Sequence, residues 1–476
     1  MEPLRLCIVG DALLDVDWEG DVHEVCRDAP APVLATPTER VRPGGAALAA
    51  VLGVSPGVEV TFITALSGDG DGRRLAAELG AAGVSVVDLG LDAPTPVKLR
   101  LRSAGHSLAR VDRACDPVVP PGPVTSEARA ALAAADAVLV SDYGRGMAVL
   151  PGIADGAAAA GRPLVWDPHS RGPRPPARAT LVTPNVHEAM ALAGRGRTAP
   201  IDAPMLVALA EEVSRAVGCT VALTAGEMGA VVTDGRSLPS VIPTRPAQGD
   251  ACGAGDRFAV SAAIGLARGE DWRVAVALAV DDARSYVAGG MHPAPDDRPS
   301  VSSHRPPPSD KIVALSDRSG PPGATAEAAA AATGVRRAGG VVVAAGGCFD
   351  VLHAGHVQLL EHARRLGDHL VVCLNSDRSV RRFKGAGRPL NPAADRAAVL
   401  RSLAAVDSVV IFDEDTPAAV LEELRPHLFV KGADYQGVEI AERDVLARWG
   451  GHVVLVPLVE GRSTSGLIAS AASAGA

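Results

Sequence analysis

The stretch Gly346-Gly347-Cys348-Phe349-Asp350-Val351-Leu352-His353-Ala354-Gly355-His356 lies between an apolar run, Val341–Ala345, and a helical pattern, Val357–Leu366. A buried strand, a glycine-rich turn and a helix in this order are typical of a sheet whose strands run parallel. A ligand in such a sheet binds where the strands end, which is where this turn falls. The stretch therefore predicts both a parallel α/β fold and a binding site within it.

Two histidines of this turn, His353 and His356, are three residues apart and share one face of the first helical turn. Gly355 between them lets a ligand approach the backbone, and the free N–H groups of a helix N-terminus favour a phosphate. The alternatives are a pair of metal ligands and two incidental surface histidines. A metal site needs further ligands, and no His-Glu-x-x-His pattern occurs. The turn therefore predicts a phosphate site.

The same alternation of strands and helices extends in both directions from this turn. Residues 339–476 have the size of one small doubly wound domain. Residues 1–303 repeat the pattern on a larger scale, which predicts a mainly parallel sheet with helices on both faces. Residues 304–338 contain two proline runs and an alanine run and predict a flexible linker.

Composition sets limits on the class of protein. With 476 residues, the chain is long enough for two or three domains. A net charge of −9 excludes a broad nucleic-acid surface. No apolar run reaches the roughly 18 residues of a membrane span, and the N-terminus has no signal-peptide pattern. The seven cysteines are scattered without a Cys-x-x-Cys pair, which favours a reducing, cytoplasmic location.

Further polar motifs follow later strands of the second unit, and each alone fits a structural role at least as well as a functional one. Lys384 lies in a basic, mobile-looking loop, and Arg388 follows it. Lys431 and Asp434 end a later predicted strand, and the Ser463–Ser465 turn offers hydroxyl and N–H groups to a phosphate.

Together, in this order and spacing, these motifs resemble the HxGH nucleotidyltransferases of the cytidylyltransferase-like class. More closely, they resemble the adenylyltransferase domain of bifunctional heptose 7-phosphate kinase/heptose 1-phosphate adenylyltransferases. The resemblance implies a small Rossmann-like domain that uses ATP and Mg²⁺. It implies triphosphate handling by His353, His356 and Lys384, nucleotide binding by Phe349, Asp350, Arg388, Ser463, Thr464 and Ser465, and orientation of the sugar phosphate or nucleoside by Lys431 and Asp434.

The decisive motif of the first unit is Gly253-Ala254-Gly255-Asp256, which precedes an alanine-rich helix. Its glycines allow successive N–H groups to point at one anion, and an ordinary N-cap aspartate is the alternative. The string resembles the GAGD signature of ribokinase-like sugar kinases, which implies a ribokinase-like parallel-sheet domain with Asp256 as the base. The family's threonines on either side of the motif are Cys252 and Arg257 here.

Other strings of the first unit match the same kinases. Asp11 and Asp15 follow the first strand, and the resemblance implies that their carboxylates meet sugar hydroxyls. The pair Gly44-Gly45 matches the family's double glycine, although Leu48 stands where an asparagine is usual. The resemblance also implies that Asn185 and Glu188 organise Mg²⁺ indirectly near the phosphates of ATP. It further implies an ATP-binding turn that contains Thr224, Gly226 and Gly229.

Three strings resemble the heptose kinase branch and narrow the substrate. The first contains Lys98 and Arg100, which suit a phosphate on carbon 7, although solvated strand residues are an alternative. The second contains Asp142 and has Arg145 where lysine is usual. In the third, His169 replaces a lysine.

The resemblance implies a bifunctional enzyme of ADP-heptose synthesis. The first unit phosphorylates D-glycero-β-D-manno-heptose 7-phosphate at carbon 1. After a separate phosphatase acts, the second unit adenylylates heptose 1-phosphate and releases pyrophosphate. The alternatives are another sugar phosphate, a kinase half that only senses or dimerises, and CTP as the nucleotide. Sugar phosphates and ATP are the expected partners, with no nucleic acid or membrane and with a homodimer through the kinase domain.

Overall fold

The structure is a computed structural model that describes residues 2–104, 106–159, 161–196, 201–289, 324–433 and 440–457. The chain forms two compact units. The first comprises residues 1–199, 209–236 and 244–288, and the second comprises residues 200–208, 237–243 and 289–476. Within the described residues, no helix combines the length and apolarity needed to cross a bilayer.

The main sheet of the first unit has the strand order β12-β11-β10-β9-β8-β1-β4-β5. Its strands are parallel except that β12 runs antiparallel to β11. The strands of the first unit are β1 Leu4–Gly10, β2 Ala12–Val25, β3 Pro32–Gly45, β4 Val58–Thr64, β5 Ser85–Asp88, β6 Val97–Ser103, β7 His106–Arg113, β8 Ala137–Ser141, β9 Leu164–Asp167, β10 Leu181–Val182, β11 Val221–Thr224 and β12 Ala230–Thr233. The central strands β1 and β8 are apolar and buried along most of their length, as a two-sided parallel sheet requires.

The helices of this part of the chain follow the strands as connections. They are α1 Ala46–Gly53, α2 Gly70–Ala81, α3 Ser126–Ala134, α4 Ile153–Ala159, α5 Val186–Leu192, α6 Ala203–Val217, α7 Ala254–Ala267 and α8 Trp272–Gly289. Helix α7 is the most deeply buried of them along its alanine-rich run, and it packs on α1, β8 and β9. Its first turn lies beside the end of β8, because Asp256 in that turn is hydrogen-bonded to Tyr143, two residues after the strand.

A second, smaller sheet has the order β3-β2-β6-β7. Strands β2 and β3 are antiparallel, β2 and β6 parallel, and β6 and β7 antiparallel. The strands predicted from the sequence do not include β2 or β3, although each is 14 residues long. In β2 the alternation of Leu14, Val16 and Trp18 with acidic residues is the pattern of a strand with two unlike faces. For the Asp11–Asp15 stretch, the sequence predicts contacts to the sugar but no strand.

The sheet of the second unit has the order β16-β15-β14-β17-β18, all parallel, and β13 pairs in parallel with β18. Its strands are β13 Ser240–Ile242, β14 Val342–Gly347, β15 His369–Asn375, β16 Ser408–Phe412, β17 Leu428–Gly432 and β18 His452–Val456. Its helices are α9 Ala324–Arg337, α10 Ala354–Arg365, α11 Asp377–Lys384, α12 Ala393–Arg401, α13 Ala418–Leu424 and α14 Glu442–Ala447. The predicted α/β fold with parallel sheets is confirmed.

Two local interpretations are wrong. The flexible linker does not extend over residues 324–337, because α9 forms there and buries Ala328 and Ala332 against the second sheet. These alanines are four residues apart, so they share one helical face. Lys384 is not in a loop either, since it is the last residue of α11, whose N-cap is Ser376. The predicted closing helix at 464–472 lies outside the described residues.

Candidate functional sites

Gly253, at the start of α7, adopts φ = 87°, the left-handed conformation that favours glycine. A Cβ at this position would lie 2.7 Å from Leu48 and 2.8 Å from the Tyr286 hydroxyl. The N–H of Ala254 already donates to the carbonyl of Ala251. Leu48, which replaces the family's asparagine, therefore packs against this turn.

Asp256 lies in the first turn of α7 and is buried. The hydroxyl of Tyr143 donates a hydrogen bond to its Oδ1 over 2.8 Å. Burial raises the pKa of Asp256 to about 7, although the Tyr143 hydrogen bond and the charge of Lys98 lower it. A carboxyl group with a pKa near neutrality is suited to accept a proton from a hydroxyl.

The two predicted sugar-binding aspartates have different surroundings. Asp11 accepts hydrogen bonds from the backbone N–H groups of Tyr143, Arg145 and Met147, each at 3.0 Å. It therefore organises the loop after β8, and those acceptor positions are not open to a sugar hydroxyl. Asp15 accepts an ion-paired hydrogen bond from Arg100 at 2.7 Å. Asp15 and Arg100, which the sequence predicts separately as substrate-binding residues, therefore engage each other.

The double glycine makes room for these aspartates. A Cβ on Gly44 would lie 2.6 Å from Oδ2 of Asp15. A Cβ on Gly45, whose φ is 59°, would lie 2.7 Å from the Asp11 carbonyl. Lys98 lies with its ammonium 5.8 Å from the centroid of the Tyr143 ring.

Carboxylates accumulate on the nucleotide side of the first site. Asp142 has one buried oxygen without a hydrogen-bond partner among the described residues. Burial raises the pKa of Asp142 to about 6 and that of Asp167 well above its ordinary value, and Glu188 adds to the effect on Asp167. Burial also raises the pKa of Glu188, helped by the charge of Asp142. Such mutually repelling carboxylates fit a nearby cation.

Asn185 and Glu188 form a reciprocal capping box at the N-terminus of α5. The Asn185 N–H donates to Glu188 Oε2 at 2.9 Å, and the Glu188 N–H donates to Asn185 Oδ1 at 3.0 Å. The described residues contain no group of three or more potential protein ligands for a metal. Magnesium at phosphotransfer sites binds chiefly to phosphates and to one or two carboxylates, so these residues fit it.

The predicted ATP turn follows β11. The hydroxyl of Thr224 faces the carbonyl of Pro184, and Asn185 pairs with Thr224 as an isolated bridge. Gly226 and Gly229 adopt φ = 57° and 84°, and they open and close a short 3₁₀ turn. The structure thus brings the Asn185–Glu188 pair and the Thr224–Gly229 turn to one sheet edge.

The departures from the kinase motif have structural partners. Arg257 donates to the Leu52 carbonyl at 3.0 Å and pairs with Asp282 at 3.3 Å. Arg145 donates to the Cys115 carbonyl at 2.6 Å. The Cys252 carbonyl accepts from the Tyr286 hydroxyl at 3.1 Å. The His169 Nδ1 accepts from a backbone N–H two residues later.

In the second unit, His353 is the N-cap residue of α10 and His356 lies in the first turn. The two rings stack with their centroids 3.8 Å apart. Phe349 packs on His356 with a centroid distance of 5.1 Å. Burial lowers the pKa of His356 to about 4, and the charges of His353 and Lys384 lower it further. At neutral pH the His356 ring is therefore uncharged.

Asp350 and Arg388, both predicted to bind nucleotide, contact each other. Arg388 Nη1 donates to Asp350 Oδ2 at 2.5 Å. Asp350 Oδ1 accepts from the N–H groups of Leu390 and Asn391 at 2.7 and 3.2 Å. Asp350 is fully buried as a side chain and therefore fixes the 388–391 loop beside the histidines.

Arg396 was not predicted as a site residue. Its buried guanidinium donates to the carbonyls of Cys348, Asn375 and Asn391 at 2.5, 2.9 and 2.9 Å. It also pairs with Asp377 at 2.7 Å. One side chain thus connects the HxGH turn, the end of β15 and the 388–391 loop. The helix also contains Asp395 and Arg401, so the charge of Arg396 alone gives no signal in the sequence.

Lys431 pairs with Glu442 at 3.0 Å, and both side chains are almost fully buried. Its ammonium also lies 5.5 Å from the centroid of Phe429. The other predicted site residues of this unit, Asp434, Ser463, Thr464 and Ser465, lie outside the described residues.

Comparisons with known proteins agree with this geometry. The profile of the pfkB family of carbohydrate kinases matches residues 4–287, and the cytidylyltransferase-like profile matches residues 344–457. A curated relative from Streptomyces coelicolor, named bifunctional protein HldE, is 46% identical over 98% of this chain and 96% of its own. A protein of the same name from Azorhizobium caulinodans is 36% identical over 98% of each chain. The ribokinase of Arabidopsis thaliana, solved with ribose and ATP, gives a TM-score of 0.47 at 21% identity and covers 60% of this chain and 93% of its own.

The predictions of a ribokinase-like kinase, of a nucleotidyltransferase and of their fusion in one enzyme are therefore confirmed. Kinases and nucleotidyltransferases of these families use ATP and typically Mg²⁺, and they act on small sugar phosphates. The chain belongs to the family of bifunctional HldE proteins and joins a pfkB-family carbohydrate kinase to a cytidylyltransferase-like domain.

Proposed function

We propose that the first unit transfers the γ-phosphoryl group of ATP to the carbon-1 hydroxyl of D-glycero-β-D-manno-heptose 7-phosphate. The observation that carries the proposal is Asp256, buried at the N-terminus of α7 with a pKa raised by burial to about 7. Its Oδ1 is held by Tyr143, which leaves Oδ2 to accept the hydroxyl proton.

The surroundings of Asp256 stabilise charge in the transferred group. The N–H groups at the start of α7 and the positive end of the helix dipole face the developing negative charge. Lys98, beside Tyr143, adds a positive charge to this end of the site. Asn185 and Glu188 would hold magnesium indirectly, through water and the phosphates of ATP, beside the buried carboxylates of Asp142 and Asp167. When bound, this ion supplies charge neutralisation to the triphosphate.

We further propose that the second unit transfers an adenylyl group from ATP to heptose 1-phosphate and releases pyrophosphate. An oxygen of the sugar phosphate attacks the α-phosphorus in line, so positioning and charge stabilisation carry this reaction. His353 and His356 donate hydrogen bonds to the triphosphate, and Lys384 at the end of α11 adds a positive charge. Asp350 holds the 388–391 loop in place for the nucleotide.

The proposed assembly is a homodimer through the kinase domain. The small sheet has one apolar face, on which Trp18 and Val111 are 38% and 44% exposed. A second copy would cover this face. Sedimentation of Val111→Asp should show a monomer, whereas Val274→Asp, on the equally exposed surface of α8, should leave the dimer intact. Because both reactions consume ATP, we place the enzyme in the cytoplasm.

The test follows ADP release with ATP, Mg²⁺ and heptose 7-phosphate, and pyrophosphate release with ATP or CTP and heptose 1-phosphate. Asp256→Asn should reduce ADP release by at least about a hundredfold and spare pyrophosphate release. His353→Asn should do the reverse, so each variant is the folding control of the other. A wild-type enzyme that releases no ADP with this sugar, or that prefers CTP, contradicts the proposal.

A further inference from the structure

One face of the small sheet carries an ordered row of charges. Lys98, Arg100 and Arg102 alternate along β6 and therefore point to the same side. On the neighbouring strand β2, Asp15 and Asp17 lie opposite Lys98 and Arg100 in the strand register. Four residues of strand span about 13 Å, so the two ends of the row lie far enough apart to contact different parts of a sugar phosphate.

The two ends of this row have different neighbours. Lys98 lies beside Tyr143, which donates a hydrogen bond to Asp256. This end of the row would therefore lie near the sugar hydroxyl that is phosphorylated. Arg102, at the other end, lies 3.5 Å from Asp250 and 4.0 Å from Asp17. The distal phosphate of a substrate that reacts at Asp256 would therefore reach Arg102 and not Lys98.

A cavity of about 330 Å³ lies at this distal end. Its lining residues are Arg42, Arg100, Arg102, Ser107, Gly249, Asp250 and Cys252. Three guanidinium groups and a serine hydroxyl thus face one space, together with the single carboxylate of Asp250. Guanidinium groups bind phosphate through two parallel hydrogen bonds, so this lining suits a phosphate dianion.

The arginines differ in how firmly the protein engages them. Arg100 makes a short contact of 2.7 Å with Asp15. Arg42 pairs with Asp17 at 3.1 Å through one nitrogen, while its Nη2 is buried without a hydrogen-bond partner among the described residues. A buried donor without a partner destabilises the protein by about 1–3 kcal/mol. A phosphate oxygen in the cavity would supply the missing acceptor.

We propose that Arg42 and Arg102 form the subsite for the phosphate on carbon 7, and that Lys98 serves the reacting end. This inference rests on the proposed kinase function and adds specificity-determining residues to it. Arg100 then holds Asp15 in place between the two ends.

The experiment compares Arg42→Gln, Arg102→Gln and Lys98→Gln with Arg40→Gln as the control. Arg40 is exposed on the same strand as Arg42 and does not line the cavity. Heptose 7-phosphate and unphosphorylated D-glycero-D-manno-heptose are both tested. Loss of one charged hydrogen bond should raise the KM for the phosphorylated sugar by about tenfold to a hundredfold. The kcat should change little, and kcat/KM for the unphosphorylated sugar should not change.

Lys98→Gln should instead lower kcat with both sugars. The inference is overturned if both arginine variants keep the wild-type KM, or if Lys98→Gln alone shows the phosphate-selective loss. Calorimetric binding of heptose 7-phosphate separates this result from failure of the proposed function. A wild-type protein that binds heptose 7-phosphate without phosphorylating it contradicts the proposed function. In that case the phosphate subsite is still tested, because Arg42→Gln and Arg102→Gln should weaken the binding of this sugar. Absence of binding overturns both.

Discussion

The Tyr143 hydroxyl donates a hydrogen bond of 2.8 Å to Oδ1 of Asp256, the residue proposed as the base of the kinase reaction. The bond favours the charged form of Asp256, because an ionised carboxylate is the better acceptor. Tyr143 itself is held by the backbone bond from its N–H to Asp11. The loop after β8 thus influences both the position and the pKa of the proposed base.

Replacing Tyr143 by Phe should shift the pH dependence of the kinase. Removal of the hydrogen bond raises the pKa of Asp256 above about 7, and only the deprotonated base accepts a proton. The acidic limb of kcat/KM should move to higher pH by roughly one pH unit. Tyr286→Phe removes a hydroxyl that bonds the Cys252 carbonyl nearby and should leave the limb in place. An unchanged limb in Tyr143→Phe contradicts this role.

Asp256→Asn should stabilise the protein, most strongly at alkaline pH. Since burial raises the pKa of Asp256 from 3.8 to about 7, its favourable contribution is complete below pH 3.8 and is lost as pH rises through 7. Asparagine stays uncharged at every pH. At pH 8 the melting temperature of the variant should exceed that of the wild type by about 3 °C or more. At pH 5 the difference should be smaller, and an equal difference at both pH values would refute the charge explanation.

ATP binding to the second unit should take up protons through His356. The pKa of His356 is about 4 in the free protein, because of burial and of the charges of His353 and Lys384. A bound triphosphate brings negative charge and raises it. Calorimetry at pH 6 in buffers of different ionisation enthalpy should reveal the uptake. His356→Asn should lose that component, whereas His362→Asn on the same helix should retain it.

Replacing Arg396 by Met should destabilise the protein, although Arg396 is not proposed to contact a substrate. The change leaves the carbonyls that Arg396 binds without a donor, and each buried unsatisfied group costs about 1–3 kcal/mol. The free energy of unfolding should fall by about 3 kcal/mol or more in denaturant titrations. Arg401→Met, at the partly exposed end of the same helix, should have little effect. Equal stability of the two variants would show that the arginine network is dispensable.

The sequence predicts those parts of the fold and site that local patterns determine. The helix that carries Asp256 follows from a glycine-rich turn before an alanine-rich run, and the start of α10 follows from the HxGH turn in the same way. Strand β15 likewise corresponds to a continuous apolar run between His369 and Asn375. These elements depend on residues that are neighbours in the chain.

The rest depends on contacts between distant residues. The pairing of Asp15 with Arg100 follows from the register of β2 on β6, which no local pattern specifies. The alanine run of α9 has the composition of a linker, and only burial of Ala328 and Ala332 against the second sheet makes it a structural helix. The role of Arg396 does not follow from the sequence, because three of its partners are backbone carbonyls, which leave no signature in side-chain identity.

The two units do not follow one another in the chain. The second takes residues 200–208 and 237–243 from within the segments of the first, and Ser240 of β13 pairs with Leu455 of β18. No single cut between the two enzymes therefore yields both halves intact. A transferase expressed from Ala324 onward would lack β13 and expose the edge of β18, which is a template for aggregation. The two activities are thus joined by the interleaving of their chain segments as well as by the continuity of the chain.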